Sequence, residues 1–172
     1  FQETMLRSCE DATREAVAAG QPWAKSGGLR RVRHGRRHFR HELVSALALL
    51  GEVRVALDGL EERDLAVYLV AAHHGRVRLA VRSLPDEDPR PEDPARRIAL
   101  GVWEGEELSE VDIPGATLPA SSLDLSVMEL GDDASGRRSW TRVALGLRDR
   151  PDLGPFRVAF LEAVVRLADW RA

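Results

Sequence analysis

Two stretches constrain this chain more than any others: "FRHELVSALALL", residues 39–50, and "DLAVYLVAAHHG", residues 64–75. A helix on a protein surface keeps one polar face, whereas a helix that is apolar nearly all round has to be enclosed by the rest of its domain. In the first stretch Phe39, Leu43, Ala46, Leu47 and Leu50 fall on one side, and Val44 and Ala48 fill the other. The spacing predicts a central helix from about His38 through Leu50, with room to continue to Leu57, and a second from about Asp64 to His74. Asp58 and Gly59 punctuate the interval, Asp64 is placed to cap the second helix, and Gly75 is placed to stop it.

Around this pair the grammar varies. Phe1, Met5, Leu6, Ala12, Ala16 and Val17 form one face of a predicted helix over 1–19, closed by Gly20. Residues 20–37, with Pro22, Gly27, Gly28 and Gly35 among the cations, read as a flexible basic strap. After Gly75, "RVRLAVRS" alternates as a half-buried strand does, "ALGVWEGEELSEVDI" reads as two short strands around an acidic turn, and "SSLDLSVMEL" as a third strand-like segment. Between them "LPDEDPRPEDP" is a surface loop, because its prolines suit neither a helix interior nor a central strand. Helical spacing returns over Trp140 to Arg148 and from about Pro155 to Trp170, the latter with proline in its first turn. The fold class predicted is mainly α with a small β-containing insertion at 76–130, α+β overall, in one domain.

The net charge of -3 hides a segregation. From Lys25 to His41 stand seven cations (Lys25, Arg30, Arg31, Arg33, Arg36, Arg37 and Arg40), three histidines and no acid. From Asp86 to Asp112 the balance is ten acids to three arginines, which predicts a solvated segment remote from any polyanion. The basic strap is the candidate for phosphate contact. A lone cysteine, Cys9, makes no internal disulfide and no cysteine-based zinc motif, so a cytoplasmic setting is expected and any metal has to use histidine and carboxylate. No apolar run approaches the roughly 18 residues that span a bilayer, and no membrane partner is expected. The chain opens on Phe1 and passes straight into a helical pattern, which suggests a piece of a longer polypeptide.

His73 and His74 close the second central helix, and His41 lies early in the first, with His38 three residues before it. Consecutive helical side chains diverge by about 100°, so the paired imidazoles are expected to approach a site from different angles or to serve separate ions. A buried histidine is most often simply hydrogen-bonded core. Histidines on both central helices, together with Asp169, which follows Val158, Glu162 and Val165 along one stripe of the last helix, are also what a metal centre inside a helical domain needs.

"FRHELVSALALL", "YLVAAHHG" and "RLADW", in that order, resemble the later part of the HD-type nuclease domain of the CRISPR-associated nuclease–helicase of type I systems, and the opening "FQ" is similar as well. The likeness covers under half of the chain. It implies that His41, His73 and His74 are metal ligands and catalytic, that Asp169 is a ligand or orients one, and that one or two divalent transition-metal ions (Mn, Co, Ni or Fe) are bound. It further implies hydrolysis of single-stranded DNA, with the helicase portion of the same polypeptide and a crRNA-guided surveillance complex as partners. The family's His-Asp dyad is absent from these 172 residues and is expected upstream of Phe1, so this chain alone is expected to be inactive and to bind metal weakly. Two other classes stay open: an HD-type phosphohydrolase acting on nucleotides, which calls for an enclosed pocket, and a non-catalytic module that docks nucleic acid or a partner. An HD-x-G-K signature in the upstream coding sequence would separate the enzymes from the module.

Overall fold

Leucine, valine and alanine at every position from Leu43 to Leu50 except Ser45 leave the first helix no polar side, and it is enclosed accordingly. In a computed structural model that describes residues 36–113, 115–131 and 136–171, helix α1 spans His41–Leu50 and buries Leu43, Val44, Ala46, Leu47 and Ala48. It tightens into a 3-10 turn over Glu52–Leu57 rather than continuing as α-helix. Helix α2, Arg63–Ala72, packs along α1 and buries Val67, Tyr68, Ala71 and Ala72. Asp64 is not its cap. The helix starts one residue earlier, and the Asp64 carboxylate instead accepts two hydrogen bonds from Arg138 at 2.7 and 2.8 Å. Helices α3, Trp140–Asp149, and α4, Gly154–Arg171, complete the helical layer, α4 contacting both α2 and α3. The predicted helix over 1–19 and the strap up to Gly35 lie outside the described residues.

The middle of the chain is β-containing, in shorter pieces than the alternation suggested. Among the described residues six strands of two or three residues form three antiparallel pairs: β1 (Ile98–Ala99) with β2 (Val102–Trp103), β3 (Glu107–Leu108) with β6 (Ser121–Ser122), and β4 (Val111–Ile113) with β5 (Ala116–Leu118). "SSLDLSVMEL" is part strand and part 3-10 turn, Leu125–Met128, whose second amide, that of Ser126, donates to the Asp124 side chain. "RVRLAVRS" forms no strand. Val77 and Val81 are buried, but the carbonyls of Arg78 and Leu79 are taken by the Trp140 indole N–H and the Thr141 hydroxyl, both at 2.9 Å, so side chains from the start of α3 occupy the acceptors a ladder would have used. The proline-rich stretch from Leu84 is turn and loop, as its composition requires.

One close approach fixes where α1 begins. Gly101 has φ +71, and a Cβ there would stand 2.5 Å from the Phe39 Cα, so residues 37–39 cross the β1–β2 hairpin with glycine's missing side chain as clearance. The Arg40 amide donates to the Leu100 carbonyl at 3.0 Å across this crossing. Hairpin and helices share one core, in which Ala99, Leu100, Val102, Leu123 and Leu125 join Leu43, Leu47, Ala71 and Trp140. The architecture is mainly helical α+β.

Candidate metal centre

His41 is the first residue of α1, and its ring faces the C-terminal end of α2. There the chain leaves the helix: His73 is the C-cap, and Gly75, at φ +75, turns the backbone while its amide donates to the Ala72 carbonyl at 2.6 Å. His73 keeps helical backbone angles, and the two rings come to the site from different angles, the first of the two arrangements expected. The rings lie 4.0 Å apart, centre to centre, tilted by 44°. Both approach His41, whose ring centre is 5.8 Å from that of His73 and 4.8 Å from that of His74.

The ring nitrogens carry the chemistry. One nitrogen from each of His41, His73 and His74 falls within 4.8 Å of the others, and all three residues are half-buried. The Nε2 atoms of His41 and His74 are 3.1 Å apart. Two ligands each about 2.0–2.1 Å from one ion stand about 3 Å apart at right angles and about 3.4 Å at the tetrahedral angle, so this spacing suits a shared cation. His73 Nδ1 is 2.7 Å from the Val70 carbonyl. A carbonyl only accepts, so Nδ1 carries the proton and Nε2 keeps its lone pair, the arrangement a ligand imidazole requires. The His41, His73 and His74 cluster can hold a metal ion, and its all-imidazole donor set suits a borderline transition metal better than magnesium or calcium.

Asp169, on the last turns of α4, approaches the site from one side. Its Oδ2 is 3.9 Å from His74 Nε2, and the carboxylate is substantially exposed. Glu162 and Val158, about two and three turns back along the predicted stripe, are buried; the Glu162 carboxylate accepts from the Tyr68 hydroxyl and from Arg78 Nε, each at 2.7 Å, which ties α4 to α2. Burial, and next the hydrogen bond to Glu162, push the Tyr68 phenol well above its ordinary value, so it stays a neutral donor.

The end of the basic strap meets the acidic segment. Arg36 donates to both oxygens of Glu106 at 2.7 and 2.6 Å, with its guanidinium 4.1 Å from the centre of the Trp103 ring, so it is engaged inside the protein rather than presented to phosphate. The Arg37 amide donates to Asp88 at 2.9 Å while its side chain stays largely exposed. His38, at φ 60, turns away from the histidine cluster and meets Asp86 at 2.9 Å. Arg40 Nε is buried without a hydrogen-bond partner among the described residues. Lys25, Arg30, Arg31 and Arg33, and Trp23 with them, lie outside the described residues. Ten acids within 27 residues are thus in part a clasp that holds the strap's end against the β hairpin.

A surface groove lined by Glu61, Asp64, Val143, Arg138 and Arg150 lies at the other end of α2, roughly 15 Å from the histidines by helix rise. Its charges pair internally, Arg138 with Asp64 and Arg150 with Glu62, and the Arg150 hydrogen bond holds the Glu62 carboxyl below its ordinary value. The buried acid beside the histidines, Glu42, is one the sequence reading passed over; a glutamate inside an otherwise apolar helix was the available signal. No protein-family model, curated protein or solved structure matches the chain. Among the described residues no helix is long and apolar enough to cross a membrane.

Proposed function

We propose that this chain carries part of the metal centre of an HD-type deoxyribonuclease domain, hydrolysing phosphodiesters of single-stranded DNA in CRISPR antiviral defence. The observation that supports this reading best is the convergence of His41 with His73 and His74, two of whose Nε2 atoms stand 3.1 Å apart although 33 positions separate the residues. His41, His73 and His74 would hold the ion, either Mn, Co, Ni or Fe, and Asp169 would bind it or orient His74. When bound, such an ion lowers the pKa of water and neutralises charge developing on phosphate oxygens. The protein's own part is to fix the rings: Val70 sets the His73 tautomer, and the Gly101 crossing fixes where His41 starts. Lys25, Arg30, Arg31, Arg33, Arg37 and Arg40 would guide the strand; Arg36 is withdrawn from that set because it holds Glu106. The helicase portion of the same polypeptide and a crRNA-guided complex would supply the strand.

The withdrawal of Arg36 keeps a second reading in view, an HD-type phosphohydrolase on nucleotides, since it weakens the electrostatic case for a polymer by one cation. The test is cleavage by the intact domain, including its upstream portion, with Mn, Co or Ni. Single-stranded DNA should be degraded, a chelator should stop it, and His73→Ala or His74→Ala should abolish it while the circular dichroism spectrum is retained. Undiminished cleavage by both variants defeats the assignment, and turnover of nucleotides with DNA left intact selects the second reading.

A further inference from the structure

Glu42 is the second residue of α1, and its side chain is 1 % exposed. Neither carboxylate oxygen has a hydrogen-bond partner among the described residues. A buried, unpartnered carboxylate is costly enough to call for a reason. It lies beside the other edge of the His41 ring: Glu42 Oε2 is 3.6 Å from His41 Nδ1, while His41 Nε2 is the atom that faces His74. The gap is beyond hydrogen-bond length by under about 1 Å, within reach of a small rotation of the ring. Glu42 falls outside the group whose ligand atoms lie within 4.8 Å of one another, so it is not a fourth ligand.

We propose that Glu42 is a positioning residue for the metal centre: it accepts a hydrogen bond from His41 Nδ1–H and so holds the Nε2 lone pair toward His73 and His74. This rests on reading the three histidines as a metal site. The logic is one of donor counting. An ionised carboxylate only accepts, so an Nδ1 that engages it must carry the proton, and the neutral ring is then left with its lone pair on Nε2. Glu42 also lies in the first turn of α1, the end of a helix at which acidic side chains are favoured. His41 and His73 would then be oriented by the same device with different acceptors, Glu42 for one and the Val70 carbonyl for the other. With His41 Nε2 an acceptor, the 3.1 Å contact makes His74 Nε2–H the donor in the metal-free chain, and ligation through that nitrogen would require His74 to change tautomer, giving up the Nε2 proton to solvent and taking one on Nδ1.

The test needs no catalysis. In the full 172-residue chain, metal-free and labelled with nitrogen-15, the imidazole nitrogens are read by long-range proton–nitrogen correlation near neutral pH. The wild type should show His41 protonated on Nδ1 and unprotonated on Nε2. Glu42→Gln keeps the shape but offers an amide that donates as well as accepts, so the His41 tautomer should become mixed; Glu42→Asp, retaining a carboxylate, should restore it in part. Nickel titrated into the same samples should bind about 10–100-fold more weakly in Glu42→Gln. A wild-type His41 protonated on Nε2, the result if Glu42 itself holds the proton, overturns the proposal without any variant. So does a tautomer unchanged by Glu42→Gln. Nickel that perturbs none of the three histidines, with the tautomer still dependent on Glu42, fails the metal reading and leaves the orienting contact standing.

Discussion

Tyr68→Phe isolates one oxygen in the contact that ties α2 to α4. The phenol donates to Glu162 Oε1 at 2.7 Å, and Glu162 is 6 % exposed. The ring itself stacks on Trp140 with its plane within 10°, an interaction phenylalanine keeps. The substitution therefore removes a hydrogen bond to a charged acceptor, a loss of roughly 1.5–3 kcal/mol. Arg78 still holds the other oxygen, but it is 53 % exposed and screened by water, so it compensates little. About 2 kcal/mol is expected, close to a 30-fold change in the folding equilibrium. For a chain of this size that is a fall in Tm of about 4–8 °C. Urea denaturation should give a lower midpoint at an unchanged slope. The decisive control is Glu162→Leu: in that background Tyr68→Phe should cost under about 0.5 kcal/mol, because the acceptor is gone. An equal cost in both backgrounds, or a cost below about 0.5 kcal/mol in the wild type, refutes the claim that this oxygen satisfies a buried carboxylate.

Other outcomes follow from the same geometry. Gly101→Ala places a Cβ within 2.7 Å of three backbone atoms of residues 37 and 39 at a φ of +71, and thermal melting should show a loss of about 3 kcal/mol or more. Asp124→Ala removes the side-chain acceptor of the Ser126 amide and should cost about 1 kcal/mol at pH 7. Burial raises the Asp124 pKa, but the Ser126 amide and hydroxyl and Arg137 outweigh it and hold the carboxyl below its ordinary value. Its stabilising effect is thus complete above the unfolded value of about 3.9 and disappears as pH falls through the lower folded one, so the urea midpoints of variant and wild type should converge below about pH 4. If the six remaining strap cations reach phosphates, fluorescence anisotropy with a single-stranded oligonucleotide should give a log–log salt slope of about -4, reduced by about 0.7 in Arg37→Ala and unaltered in Arg36→Ala.

Much of the helical layer was legible in residue spacing because apolar periodicity reports burial directly. The two central helices, Trp140–Asp149 and Gly154–Arg171 all occur where their patterns place them. Boundaries were less legible: Asp64 has a capping side chain, but a competing Arg138, distant in sequence, claims it. The alternation of "RVRLAVRS" was read as a strand because period 2 records which side chains are buried, not which backbone groups find partners. Trp140 and Thr141 from another element took those partners instead.

For the site, the residue types and the helices that bear them were readable along the chain, and so was the chemistry open to three imidazoles and an acid. Convergence was a matter of tertiary structure. Helical geometry sets His73 and His74 at different angles, and only the packing of α1 along α2 brings His41 within reach of both. Charge segregation along the chain did not say which acids the strap would meet; folding brought Arg36 to Glu106 and His38 to Asp86, since opposite charges far apart in sequence attract when the backbone lets them meet. Local sequence sets what each side chain can do, whereas the distances on which ligation and pairing depend come from contacts between residues that no short-range pattern records.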